Sequence, residues 1–184
     1  VVLAATLAEG VAWCEATLGV APGPGGEHPL MGTHNRLQRV ATVDYPRAYL
    51  EVIAVDPAAQ PEGGRRRWFD MDDERVRAAV VHGPRLAHFV ANVDDIDGAM
   101  KTLEALDIDR GRVLQASRDT PRGRLEWRIA VRDDGTRLFD GCLPTLIQWG
   151  NTHPVAGMAA SDVALHSILV THPRANALRA AYDA

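Results

Sequence analysis

The sequence predicts an α+β fold assembled from repeated strand-helix-strand units, and three internal correspondences carry that prediction. The first is a strand that runs straight into a helix. Leu86-Ala87-His88-Phe89-Val90-Ala91-Asn92-Val93-Asp94 has this form, and Ala164-Leu165-His166-Ser167-Ile168-Leu169-Val170-Thr171-His172 repeats it with His in the same slot. Val1 to Thr6 fits the same template, beginning one residue after that slot. The second correspondence joins two closing strands, Ala48–Ile53 and Thr145–Trp149. Glu51 and Gln148 each precede a proline, Pro57 and Pro154, by the same spacing. The third is the set of strand-like runs lying between each opening helix and each closing strand.

Taken in order, the elements are as follows. Thr6-Leu7-Ala8-Glu9 is a capping box, in which the Thr hydroxyl accepts from the N3 amide while Glu9 reaches back. Val11, Cys14 and Leu18 follow at helical spacing, and Gly19 ends the helix. Thr33–Val40 and Ala48–Ile53 read as strands and close a first module over about residues 1–57. An insert at about 58–84 is rich in Pro and Gly, carries Arg65-Arg66-Arg67-Trp68-Phe69 and ends in a short helix from Asp72 to Val81.

A second module covers about 85–155. Asp94 and Asp97 occupy the slots that Thr6 and Glu9 hold in the first copy. Ile96, Ala99, Met100, Leu103 and Leu106 give its helix an apolar face. Strands follow at Arg112–Ser117, Leu125–Val131 and Thr145–Trp149. A partial third βα unit occupies about 162–184, with Pro173 at the favoured first helical position and Ala177, Leu178 and Ala181 on one face. The whole reads as a single domain. The third unit lacks a sheet of its own, so it completes this domain, pairs with a partner chain or leads into further residues, and a homodimer is the expected assembly.

Composition narrows the function classes. The chain has 184 residues, 46% hydrophobic and 24% charged, ordinary for a globular protein. A net charge of −4 argues against nucleic acid as the main partner. No apolar run is long enough to span a membrane. No signal peptide precedes the first strand, so the true start is expected upstream of Val1. Cys14 and Cys142 suit reduced thiols in a cytoplasmic protein better than a disulfide framework. There is no Ser-His-Asp order, P-loop, dinucleotide fingerprint or cysteine-based zinc spacing.

Met31-Gly32-Thr33-His34-Asn35, Ala48-Tyr49-Leu50-Glu51-Val52-Ile53-Ala54 and Leu146-Ile147-Gln148-Trp149 resemble the glyoxalase-like domain family of the vicinal oxygen chelate superfamily. The resemblance covers most of residues 1–155. It implies two βαβββ modules curled into a half-open, barrel-like sheet around one divalent metal, with ligands from the first and last strand of each. Carried onto this chain, it implies His88, Glu51 and Gln148 as metal ligands, with a fourth on the residue before Val1, which the repeat expects to be His. Glu51 is the implied catalytic group, and His34 and Asn35 are implied substrate-binding residues at the pocket rim.

Imidazole, carboxylate and amide oxygen together suit Zn, Ni, Fe, Mn or Co. The implied chemistry is a metal that holds two adjacent substrate oxygens and stabilises an enolate-like charge. One departure matters. Glyoxalase I resembles a two-carboxylate site, whereas Gln148 cannot accept a proton at neutral pH. A two-base isomerase is therefore disfavoured, while a one-base version survives. The expected function is a divalent-metal-dependent lyase, isomerase or dioxygenase acting on a small oxygenated organic molecule. The alternative is a metal-free protein that binds or sequesters a small molecule in the same cleft.

Each candidate also has a plainer reading. His88, on an apolar strand, is either a satisfied core histidine or a ligand. Glu51 and Gln148 face either a pocket or the other side of their strands. His166 reads as a core or interface residue inherited from duplication. Trp149, adjacent to Gln148, points to the opposite face and reads as core. Trp68 and Trp127 read as packing, with a pocket wall as their second role. His28, His82, His153 and His172 lie near Pro or Gly and read as loop or cap residues.

Overall fold

The computed structural model describes residues Val1–Ala184. Module one comprises β1 (Val2–Leu3), α1 (Leu7–Leu18), β2 (Glu27–His28), β3 (Thr33–Arg39) and β4 (Tyr49–Val55). The insert supplies α2 (Glu74–Val81), and β5 (Arg85–Leu86) follows it. Module two comprises β6 (Val90–Asn92), α3 (Ile96–Glu104), β7 (Arg112–Thr120), β8 (Gly123–Val131) and β9 (Thr145–Trp149), and α4 (Ala175–Asp183) ends the chain.

The two modules share one sheet topology. The first sheet runs β2-β3-β4-β1 with β5 added at its edge, and the second runs β7-β8-β9-β6. In each, the opening strand pairs parallel with the closing strand: Val2 with Val52 and Leu3 with Ile53, then Ala91 with Leu146 and Asn92 with Ile147. The α+β class and its paired βαβββ modules are therefore as the sequence predicts.

Local chemistry explains the helix ends. Thr6 accepts from the Glu9 amide at 3.2 Å, and Gly19 closes α1 in the left-handed region at φ 73°. Gly10 lets α1 lie directly on the sheet, since a Cβ there would meet Val52 Cγ1 at 2.2 Å. The start of α3 lies one residue from its predicted place. Asp95, not Asp94, is the N-cap and accepts from the Gly98 amide at 3.0 Å, while Asp97 pairs with Arg128 at 2.7 Å.

Residues of both sheets share the main core. Leu3, Met31 and Ile53 of the first module meet Trp127, Ile129, Val131 and Ile147 of the second. The insert is part of this core, because Trp68, Phe69 and Met71 are buried in it. The chain turns there through positive φ at Phe69 and Asp70. That turn is held by the Asp70 amide donating to Gly135 O at 3.0 Å and by an Asp70–Arg137 ion pair at 2.7 Å.

The C-terminal unit departs from expectation. Helix α4 forms and buries Leu178 and Ala181 against Ile96 and Leu103 of α3. It begins at Ala175 after an Arg174 cap, so Pro173 lies outside it. Ala164–Thr171 is not a strand. One amide, Leu165 N to Val40 O at 2.8 Å, and the Thr42 hydroxyl to Leu165 O at 3.2 Å tie it to module one. His166 is exposed, not a core residue. Of its apolar residues, Leu165 and Ile168 line a cavity between the two sheets, Val170 packs against the core cluster under α3, and Leu169 is exposed.

Candidate active site

A cavity of about 530 Å³ opens between the two sheets. Its walls are largely apolar: the aromatic rings of Tyr49, Trp68, Phe69, Phe89, Trp127 and Trp149 line it, with Ile129 and Ile147 among them. The polar side chains in this wall are few. They include His28, Asn35 and Glu51 from the first sheet, Arg118 from the second, and His153 from the segment after β9. An apolar cleft with a small convergent polar group is the usual form of a small-molecule site.

The polar groups form one connected network centred on Asn35, which is 5% exposed. Asn35 Nδ2 donates to Glu51 Oε1 at 2.6 Å and to His28 Nε2 at 3.2 Å. Its Oδ1 accepts from the Gly26 amide at 2.9 Å and from Arg118 Nη1 at 3.3 Å. Both donors and both acceptor positions of this amide are thus used. Because His28 Nε2 is the acceptor, Nδ1 carries the proton and donates to Thr33 Oγ1 at 3.1 Å. The pairing of Asn35 with Ile53 on β4 explains how its side chain reaches Glu51, two residues earlier on the same face.

Electrostatics follow from this burial. Removal from water pushes the Glu51 carboxyl above its ordinary range, and the Asn35 hydrogen bond, the amino group of Val1 and the Arg118 guanidinium oppose that rise. Burial and then the Glu51 charge push the Tyr49 phenol up. His28 is held down at about 3 by burial, then by Arg118 and His34, so it is neutral near pH 7. His153 is held at about 4 by burial and Arg47. Its Nδ1 accepts from the Val155 amide at 3.3 Å, which makes it both the cap residue expected and a cavity wall against Tyr49 and Trp149.

The expected metal shell does not assemble. Glu51 alone of the three expected ligands lines the cavity. His88 is buried, with Nδ1 donating to Gly141 O at 2.9 Å and Nε2 bonded to Thr145 Oγ1 at 3.0 Å and accepting from the Thr145 amide at 3.2 Å. Both ring nitrogens are occupied, so His88 is the satisfied core histidine. Gln148 lies on the helix side of its sheet, where Oε1 accepts from the Ile96 amide at 3.2 Å and from Arg128 Nη1 at 3.5 Å. No group of three or more His, Cys, Asp or Glu is placed to hold a metal ion. The residues present do not fit a divalent metal at this site. The fourth expected ligand, before Val1, lies outside the chain; Val1 itself lines the cavity beside Glu51.

The remaining expectations divide by strand face. Of the two expected substrate-binding residues, Asn35 lines the cavity and His34 does not. Trp149 lines the cavity and Gln148 does not, the reverse of their expected roles. Neither His28 nor Arg118 carries a sequence signal that marks it as a site residue. His28 sits on a two-residue strand beside Pro29, and Arg118 reaches Asn35 across 83 positions of sequence, a pairing without any local signal.

A model of the glyoxalase-like domain matches residues 1–184. The chain belongs to the glyoxalase-like domain family. This places it in the vicinal oxygen chelate superfamily, with the mixed α+β modules described above. Solved structures with a similar arrangement include Streptomyces coelicolor methylmalonyl-CoA epimerase (Q60A) in complex with 2-nitronate-propionyl-CoA, 15% identical with TM-score 0.45, covering 80% of this chain and 91% of that one. Another is methylmalonyl-CoA epimerase from Mycobacterium tuberculosis, 12% identical with TM-score 0.42, covering 85% and 88%. No curated protein matches the sequence. No helix of this glyoxalase-like domain is long and apolar enough to cross a membrane.

Proposed function

We propose that this glyoxalase-like domain binds a small molecule with an aromatic or branched apolar body and an anionic oxygen group, and moves a proton on it with Glu51 as the single base. The observation that carries this reading is the Glu51 carboxylate. It stands in an aromatic cavity with one oxygen fixed by Asn35, and burial raises its pKa. A raised carboxyl is matched more closely to proton transfer at neutral pH than an ordinary one.

In the proposed step, Glu51 removes a proton from a carbon next to a substrate carbonyl. The C–H electron pair moves onto the carbonyl oxygen as an enolate, and the same proton, or one exchanged with water, returns to carbon. The Arg118 guanidinium supplies positive charge to the cavity for the anionic group. Asn35 keeps Glu51 oriented, and the aromatic wall takes the apolar body. Tyr49 remains protonated and is available as a donor. No step uses a metal, since the residues present do not fit one.

The second reading is a metal-free binding protein. It is favoured by the aromatic wall, which gives affinity without chemistry. One experiment separates the two readings. 2-Oxo-4-phenylbutanoate carries an aromatic body, a carboxylate and exchangeable protons beside a carbonyl. In D2O, the wild-type chain is expected to accelerate deuterium exchange at its C3, and quenching of tryptophan fluorescence reports binding. Glu51→Gln is expected to retain binding and lose about 100-fold or more of the exchange rate, the usual size of a general-base contribution. Binding without exchange in the wild type would leave only the sequestering role.

A further inference from the structure

We propose that the glyoxalase-like domain holds a monovalent inorganic anion of halide size, such as chloride, in a second and much smaller cavity behind the Trp68–Phe69 wall. This cavity lies between the insert and the second sheet. It leaves room for the centre of a water-sized particle over about 10 Å³, enough for one small occupant.

Two residues that line it each carry a buried donor without a partner. Arg110 is 3% exposed, and its Nε has no hydrogen-bond partner; its guanidinium makes one hydrogen bond, Nη2 to Pro144 O at 2.5 Å. Trp68 is 5% exposed, and its Nε1 is likewise buried without a partner. Buried polar groups in folded proteins are almost always bonded, so two orphaned donors on one small cavity indicate an occupant that accepts from both.

The charge balance selects an anion over water. No carboxylate pairs with Arg110. Burial lowers its pKa to about 10, and the charge that lowers it further is Arg132, of like sign, so it stays cationic at neutral pH. The other guanidiniums at this cavity already have carboxylates, Arg132 with Asp109 and Asp134 and Arg137 with Asp70. Arg110 is thus the buried cation left without a counter-ion, and an uncompensated buried charge is strongly unfavourable. Water would satisfy the two donors but would leave that charge uncompensated. Trp68 lines the main cavity as well, so the anion sits against the back of the substrate wall.

The test uses the full 184-residue chain. Crystals grown in sodium bromide are expected to show anomalous density between Arg110 Nε and Trp68 Nε1, and absence of that density in well-ordered crystals overturns the proposal. In solution, the thermal midpoint is expected to rise saturably as chloride replaces gluconate at constant ionic strength. In Trp68→Phe the half-saturating chloride is expected to rise roughly threefold or more, the size of one lost hydrogen bond. Arg110→Met is expected to abolish the response. An equal response in wild type and Trp68→Phe, or a retained response in Arg110→Met, overturns the assignment. Should Arg110→Met fail to fold, the bromide density and Trp68→Phe still decide it.

Discussion

Thr145 stands in the second module where Glu51 stands in the first. Glu51 precedes Val52, the parallel partner of Val2, and Thr145 precedes Leu146, the parallel partner of Ala91. The helix caps Thr6 and Asp95 follow Val2 and Ala91 at one common spacing, which confirms the alignment. The two copies have therefore diverged at the position that matters. One carries a carboxylate into the cavity, and the other carries a hydroxyl that is bonded to His88.

Glu51 is expected to cost stability at neutral pH. Its folded pKa is raised, so the folded state holds the proton more tightly than the unfolded chain. Stability then falls as pH rises from the ordinary value of 4.5 through the raised one. Glu51→Gln should melt higher than wild type at pH 7, with the difference shrinking as pH drops below 4.5. Thermal melts of both proteins across this range check it. The acid limb of any Glu51-dependent rate should correspondingly lie above pH 4.5.

Asn35 is expected to act through its neighbours. Asn35→Ala leaves the buried Nε2 of His28 without its donor and releases Glu51 Oε1. A loss of about 1–3 kcal/mol in stability follows from an unsatisfied buried group. Proton exchange on 2-oxo-4-phenylbutanoate should fall, and its acid limb should move to higher pH, since the hydrogen bond that lowers the Glu51 pKa is gone. Denaturant unfolding and a pH–rate profile measure the two effects separately.

His88 is expected to be structural. His88→Ala removes a donor to Gly141 O and leaves the Thr145 hydroxyl without its partner in the core, while the Thr145 amide keeps its bond to Phe89 O. A destabilisation of about 2–5 kcal/mol is expected from the lost packing and the orphaned groups together. Calorimetric titration with Zn²⁺ or Ni²⁺ should give the same result for wild type and for any variant at His88 that folds. A loss of specific metal binding in such a variant would restore His88 as a ligand.

Acid should unfold this chain through its buried imidazoles. His28 and His88 are both held at about 3, chiefly by burial, against an ordinary 6.5. Between these values the unfolded chain binds protons that the folded chain refuses, so stability declines as pH falls from 6.5 towards 3. His153, at about 4, adds to the same slope. The urea midpoint measured from pH 7 to pH 4 should drop steadily.

Gln148 is expected to matter to α3 alone. Its Oε1 caps the Ile96 amide at the helix start. Gln148→Ala should cost about 1 kcal/mol, the usual size of a lost cap, and leave ligand-induced tryptophan quenching unchanged.

Much of the architecture was legible because it rests on local rules. The Thr6–Glu9 cap, the Gly19 stop and the strand-forming runs Thr33–Arg39 and Tyr49–Val55 depend on neighbours a few residues away. Glu51 and Asn35 were legible as cavity residues for the related reason that their family pattern lies within single strands. The second half of the site differs from the sequence expectation by a shift in register. The proline spacing matched Glu51 to Gln148, but the strand pairing matches it to Thr145, three residues earlier. An odd shift along a strand turns every side chain to the opposite face, so Gln148 went to the helix side and Trp149 to the cavity.

By itself, then, the sequence determined the two βαβββ modules, their helix ends and the family, because periodicity and capping are short-range and the repeat doubles their signal. The tertiary structure alone decided which polar groups meet. The contact of Arg118 with Asn35, the enclosure of His88 by Gly141 and Thr145, and the burial of Trp68 from the insert all join segments distant in sequence. A side chain's chemistry there depends on lost water and on partners brought by packing, and neither is written in the spacing of residues along the chain.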